Sequence, residues 1–348
     1  EYPDGKTIHL KDRGADFTII SGTGTANNLN IIASDEVSQS ANLEKKNGKW
    51  TAKSLGLLAD GSDESATMQA IGGIVDGNTI VFGAGTYAMQ GVLWFQSENF
   101  TLEFTSNPVF KLVDNAGPTD KFCFRLSSCS NFSTKGRLLV DGNKANNPFS
   151  GSGAGGGNGT FVLSGGANDF HLDYIKCYDA WNNGISFDTC TNFTAETLIA
   201  NTSSVRGVTI SDCSDFVIET IAANGVDENT PVYVINSSDF DIGYIKGYNS
   251  PLSAAVLFEV GNSSYTIGRI KTDSSFSGTK FEDNNNYTVG SVESLGTTSS
   301  IGVTINGGTD AIIGSVLSKN SLDAGFAVLS AETDVNRVKI GSLVVVDN

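Results

Sequence analysis

Asp239-Phe240-Asp241-Ile242-Gly243-Tyr244-Ile245 and, further on, Asn286-Tyr287-Thr288-Val289-Gly290-Ser291-Val292 are two copies of one pattern. An aromatic follows Asn or Asp, the next apolar residue comes two positions later, and another comes three positions after that. The leading pair also stands at Asn99-Phe100, Asn131-Phe132, Asp169-Phe170, Asn192-Phe193 and Asp215-Phe216, with Ser264-Tyr265 in the same series. From Phe170 the steps to Phe193, Phe216, Phe240, Tyr265 and Tyr287 are 23, 23, 24, 25 and 22 residues, and the frame runs on to Ala311. A unit this short buries too little apolar surface to fold alone, so each copy must lean on its neighbours.

Spacing inside the copy says what is stacked. Phe240, Ile242 and Ile245 recur as Tyr265, Ile267, Ile270, as Ala311, Ile313, Val316 and, after a three-residue insertion, as Val338, Ile340, Leu343. Apolar residues at i and i+2 mark a strand, and the i+3 step with a glycine inside it (Gly243, Gly268, Gly290, Gly314, Gly341) marks a corner between two strands. A further short apolar strand precedes each turn, as at Gly184 to Phe187, Gly207 to Ile210, Val232 to Val234 and Ala255 to Phe258. Helical repeats need longer runs of 3.6 periodicity, and leucine-rich repeats a different consensus; neither occurs. The pattern predicts an all-β fold, a right-handed parallel β-helix with roughly three short strands per coil, against the alternative of a β-sandwich with evenly spaced strands.

Two regions are expected: residues 1–54 as an N-terminal neck or cap outside the coil frame, and 55–348 as the β-helix. The neck holds strand-like stretches at Thr7 to Leu10 and Phe17 to Ile20. Ser62 or Asp63 can cap a short helix with Met68 and Ile71 on one face. The sequence ends in strand-like residues, Val344 to Val346, without an evident capping segment.

Composition narrows the function. With 38 acidic and 22 basic side chains the net charge is −16, which opposes binding to nucleic acid or an anionic membrane. It also disfavours a strongly anionic polymer unless cations or a local Arg/Lys cluster intervene. No stretch approaches the apolar length of a membrane span, so no membrane insertion is expected. Five cysteines, an odd number, read as buried free thiols from a reducing compartment, with Cys190 and Cys213 one coil apart. Two histidines, His9 and His171, suggest no metal-ligand cluster, and no cofactor motif is present. Four of the eight Asn-x-Ser/Thr sequons fall on the recurring turn, which makes them products of turn composition rather than glycan sites.

The stretch Asp60-Gly61-Ser62-Asp63 before the helix, then Gly85-Thr86-Tyr87 closing a strand, then the ladder to the last residue, resembles the pectate-lyase-type β-helix superfamily, above all bacteriophage tailspikes and tail-associated depolymerases. Ala84 stands where that family usually has proline. The resemblance covers about residues 55 to 348 and implies a homotrimer at a virion tail, made in the bacterial cytoplasm, that binds a bacterial capsular or O-antigen polysaccharide. The scaffold hosts hydrolases, lyases, epimerases and adhesins alike, so the site must be argued from residues.

Candidate chemistry gathers at two irregular places. The step from Phe132 to Phe170 is 38 residues, about fifteen over one coil. The excess lies in Val140 to Pro148, with Asp141, and in the glycine run Gly151 to Gly159; it is a grafted functional loop or merely a flexible insertion. The second place is the edge before the short strands, with Lys176, Tyr178, Asp179, Trp181, Asn182 and Asn183, then Arg206, then Asp227 and Glu228, and with Asp188 and Asp212 just after their strands. Tyr178 and Trp181 suit stacking on sugar rings. Glycoside hydrolysis needs two carboxylates about 5 to 5.5 Å apart for retention or about 6.5 to 9.5 Å for inversion. Asp188 with Asp212, or Asp212 with Asp227 or Glu228, one or two coils apart, are the candidate pairs, set against simple turn-capping by aspartate. A β-elimination would use Arg206, Lys176 or Tyr178, and the histidine-dependent epimerase pattern of the family is absent. Hydrolysis is the favoured reading, with a non-catalytic adhesin or a secreted pectinase-like lyase as alternatives.

Overall fold

The computed structural model describes residues 7–10, 15–21, 31–33, 39–116, 122–147, 159–329 and 336–346. Pro148 and most of the glycine run (151–158) therefore lie outside the described residues.

The chain winds as a right-handed parallel β-helix. Each regular coil has a short strand, such as Asn183–Asp188, Val208–Ser211 or Val232–Ile235, and an eleven-residue strand, such as Asn168–Tyr178, Thr191–Asn201, Ser214–Asn224 or Ser238–Tyr248. Short strands stack into one parallel sheet and long strands into another. The two segments expected on either side of the i+3 step are one continuous strand bent at the corner. Along Ser214–Asn224 the buried residues are Phe216, Ile218, Ile221 and Ala223, so the alternation resets at the bend while pairing with the next coil continues.

The recurring Asn/Asp-aromatic pair has a backbone cause. Asn131, Asp169, Asn192, Asp215, Asp239 and Asn286 all sit at φ between 49° and 55°, the left-handed region that Asn and Asp tolerate best among side-chain-bearing residues. The following aromatic then turns inward. Phe170, Phe193, Phe216, Phe240 and Tyr265 form a continuous pile with ring centroids 4.6 to 4.8 Å apart and planes within 7° of parallel. This ladder fixes the coil-to-coil register. All five cysteines are free and buried, and Cys190 N–H donates to Cys213 Sγ one coil on at 3.4 Å.

At the N-terminal end, Thr7–Leu10, Ala15–Ser21, Ile31–Ala33 and Gln39–Leu43 make a separate antiparallel sheet, while Trp50 and Thr51 already pair in parallel with Ile80 and Val81. The helix Ser65–Gly72 buries Met68 and Ile71. Its N-cap position is Glu64 rather than Ser62 or Asp63, although Asp63 still accepts the Ser65 N–H at 2.9 Å. Among the described residues no helix is long and apolar enough to cross a membrane.

Candidate functional site

A short strand alternates its side chains between core and exterior, and the stacked register puts equivalent residues in rows. The row that follows the inward residues Phe187, Ile210, Val234, Phe258 and Phe281 holds Asp188, Ser211, Ile235, Glu259 and Glu282. Three carboxylates thus close short strands at one coil position and face outward. Beside them runs a second outward row, Arg125, Val162, Ser186, Thr209, Tyr233, Leu257 and Lys280. In its middle, Ser186 and Thr209 are fully buried although they point away from the core, so this part of the face is covered.

Asp188 lies one coil from Ser211, whose hydroxyl donates to Asp212 at 2.6 Å. Burial and the Asp212 carboxylate push the Asp188 carboxyl above its ordinary range, with the Arg125 guanidinium pulling the other way. Farther along the axis, burial and Glu282 push Glu259 up, while Arg206 and Lys280 oppose them. Tyr233 donates its hydroxyl to Glu259, and the Arg206 guanidinium lies 3.6 Å from the centre of the Tyr233 ring. Lys280 pairs with Glu282. Neighbouring coils are about 4.8 Å apart, so Glu259 and Glu282 form one close pair, and Asp188 lies about 14 Å from Glu259, three coils away.

Not all of the sequence candidates meet. Asp212 follows its strand, whereas Asp227 and Glu228 precede the strand Val232–Ile235 that lies alongside. Four strand residues, roughly 13 Å, separate the two ends, which is too far for either glycosidase geometry. The pairing of Asp212 with Asp227 or Glu228 is corrected accordingly. Asp227 instead accepts from Lys144 across the turn edge. There Asp141, Asn143, Lys144 and Asp179 line a depression of about 420 Å³. Asp141 is pushed up by burial and accepts the Asn143 N–H at 2.8 Å, while Asp179 accepts from Thr202 Oγ1 at 2.6 Å. Both carboxylates are thus engaged in holding turns. Burial and these two carboxylates push the Tyr178 phenol to about 12. Asn182 and Asn183 are fully buried, Trp181 is half-buried, and Glu228 is exposed. Lys176 and Tyr178 point out from the long-strand sheet, a different face from that of Arg206 and Tyr233.

Glu259, Glu282, Tyr233 and Arg125 escaped the sequence reading. A signal was present, because Phe187-Asp188, Phe258-Glu259 and Phe281-Glu282 are the same pair of residue types at the same place in the coil. The sequence also suggested no ligand cluster around a histidine. The coil brings His171 beside Asp173 (2.9 Å) and Glu196 (4.0 Å), with one ligand atom from each within 4.8 Å of the others. Those are donors that a divalent cation accepts, but both ring nitrogens are already engaged, Nδ1 lying 2.7 Å from Thr194 Oγ1.

No protein-family model and no curated protein matches the chain. Solved structures do. The enzymatically active domain of tailspike protein 2 from bacteriophage CBA120 is 13% identical with a TM-score of 0.65, over 99% of this chain and 55% of that one. The A-module of mannuronan C-5 epimerase AlgE4 from Azotobacter vinelandii is 16% identical with a TM-score of 0.59, over 86% of this chain and 96% of that one. The tailspike gp49 of Acinetobacter baumannii bacteriophage Fri1, a capsular polysaccharide depolymerase, is 9% identical with a TM-score of 0.54, over 99% and 73%. The chain spans about half the length of the CBA120 protein. Identities this low speak for the backbone alone, and the backbone is a right-handed parallel β-helix.

Proposed function

We propose that the chain binds a bacterial capsular or O-antigen polysaccharide and cleaves it by glycoside hydrolysis on the outer face of the short-strand sheet. Asp188 serves as the proton donor and Asp212 as the partner carboxylate. The observation that carries this reading is the Asp188 carboxyl, which burial and the neighbouring Asp212 carboxylate dispose to keep its proton, while Asp212 accepts the Ser211 hydroxyl. A carboxyl disposed to keep its proton, with a second carboxylate one coil away, is what acid-assisted cleavage of a glycosidic bond uses. Arg125 restrains that shift and keeps the group able to give its proton up.

A second reading rests on Arg206 over Tyr233, whose hydroxyl meets Glu259. With its own proton passed to Glu259, Tyr233 beside the guanidinium would act as a phenolate and take the proton for a β-elimination, with Arg206 offsetting a uronate charge. Assembly as a homotrimer and a place at a virion tail belong to the same proposal, supported by likeness of fold to tailspikes.

Incubation with a panel of capsular and O-antigen polysaccharides, following reducing ends and unsaturated-uronate absorbance together, tests the chemistry. Reducing ends without absorbance support hydrolysis, and their loss in Asp188→Asn and Asp212→Asn supports the assignment. Both signals together move the reaction to Arg206 and Tyr233. Stable glycan binding with neither signal makes the chain an adhesin.

A further inference from the structure

The strand Asn168–Tyr178 contains Tyr174-Ile175-Lys176-Cys177-Tyr178, and Ser238–Tyr248 contains Tyr244-Ile245-Lys246-Gly247-Tyr248. In both, the isoleucine and the residue after lysine are buried, so the tyrosines and lysine project together from the long-strand sheet. Register through the intervening coils is continuous: Tyr174 stacks over Thr197, Thr220 and Tyr244, and Lys176 over Ile199, Ala222 and Lys246. Two identical Tyr-Lys-Tyr rows therefore flank a lower floor of small and mid-sized side chains. Three strand steps, about 14 Å, separate them.

We propose that this face is a second glycan-binding surface, distinct from the short-strand face, that takes an acidic oligosaccharide of about four residues along the helix axis through Tyr174, Lys176, Tyr178, Tyr244, Lys246 and Tyr248. The inference rests on the reading of the ligand as a polysaccharide and adds its charge class. Three observations support it. On a chain of net charge −16, the outward positions within these four long strands beyond the corner carry no carboxylate, Asp141 and Asp179 lying beside Tyr178 at one end of the face, and among the described residues neither lysine has an ion-pair partner. Cations lie over the tyrosines themselves: Arg137 is 4.4 Å from the Tyr174 ring centre and Lys246 4.6 Å from Tyr248, while Arg269, paired with Glu293, is 5.8 Å from Tyr244. A carboxylate-bearing sugar placed there meets a ring, a hydroxyl and a cation at once. The coil step is also close to the width of one pyranose, so successive sugars can occupy equivalent positions on successive coils.

The test is affinity electrophoresis of the full chain in gels containing polygalacturonate, alginate or hyaluronate, each against its carboxyl-reduced form. At least one acidic polymer should retard the protein while its reduced form does not, and tetrasaccharides of that polymer should compete where disaccharides fail. The Lys176→Ala/Lys246→Ala variant should lose about tenfold or more in affinity. If it melts early, Lys176→Gln/Lys246→Gln takes its place. Asp188→Asn should be retarded like the wild type even where cleavage is lost, which separates this surface from the proposed catalytic one. Retardation by none of the three polymers, unchanged affinity in the lysine variants, or a change of oligomeric mass in those variants overturns the proposal, the last by making the face a contact between chains.

Discussion

Asp188 combines two effects that a single substitution separates. Its carboxyl is raised first by burial and then by Asp212, so ionising it costs the folded protein more than it costs the unfolded chain. The unfolded chain keeps an ordinary aspartate. A carboxyl with a raised folded-state pKa lowers stability above that pKa, and the penalty disappears as pH falls toward the unfolded value of about 4. Asp188→Asn should therefore melt above the wild type at pH 7 and converge with it near pH 4, while turnover falls by about two orders of magnitude or more. Thermal melts at the two pH values, paired with reducing-end assays, check both halves. A variant less stable at pH 7 would mean that the Arg125 contact outweighs the burial.

At the scale of the element, the aromatic pile and the corner can each be probed. Phe216 is stacked between Phe193 at 4.8 Å and Phe240 at 4.7 Å and is 1% exposed, so Phe216→Ala should cost about 3 to 5 kcal/mol. Its neighbour Val217 faces solvent, and Val217→Ala should stay within about 0.5 kcal/mol. At the corner, a Cβ on Gly290 would lie 2.4 Å from the Gly268 carbonyl oxygen, and the same approach recurs at Gly268, Gly314 and Gly341. Gly290→Ala must push one coil's backbone from the next and should cost about 1 to 3 kcal/mol, read as a shifted urea midpoint. These same features made the fold legible, since a left-handed turn selects Asn or Asp, a core ladder selects an aromatic, and the corner takes glycine from Gly243 onward, where Asp173, Glu196 and Glu219 stand in the coils before. The site was less legible because it depends on which end of a strand a residue occupies. Asp212 and Asp227 look adjacent by coil count yet stand at opposite strand ends, while Asp188, Glu259 and Glu282 share a row although 71 and 23 residues separate them in turn. His171, Asp173 and Glu196 likewise meet only because one coil lies against the next.

For the whole molecule the question is how a stack with net charge −16 answers to pH and salt. Glu64, Asp141, Asp188 and Glu259 are all raised, and in each case burial is the largest cause. As pH falls from 7 toward the ordinary carboxylate range these groups take up protons in the folded state before they do so in the unfolded one, which stabilises the fold. Asp60, Asp114 and Glu293 are lowered by hydrogen bonds, from Ser62, from Asn143 and from Arg269 respectively, and they lose their contribution only when pH falls below that range. Long-range repulsion among the exposed acids adds to the first effect, because protonation reduces net charge. The melting temperature should consequently peak on the acid side of neutrality, near pH 5, and fall again toward pH 3. Salt divides the contributions. At about 1 M ionic strength the Debye length drops to about 3 Å, which screens surface repulsion but not a desolvated carboxyl. Salt should therefore raise the melting temperature at pH 7 more than at pH 5 and narrow the acid-side peak, leaving the part that the four raised carboxyls supply. A peak that vanished in salt would assign the pH response to surface charge alone and take the burial of Asp188 and Glu259 out of it.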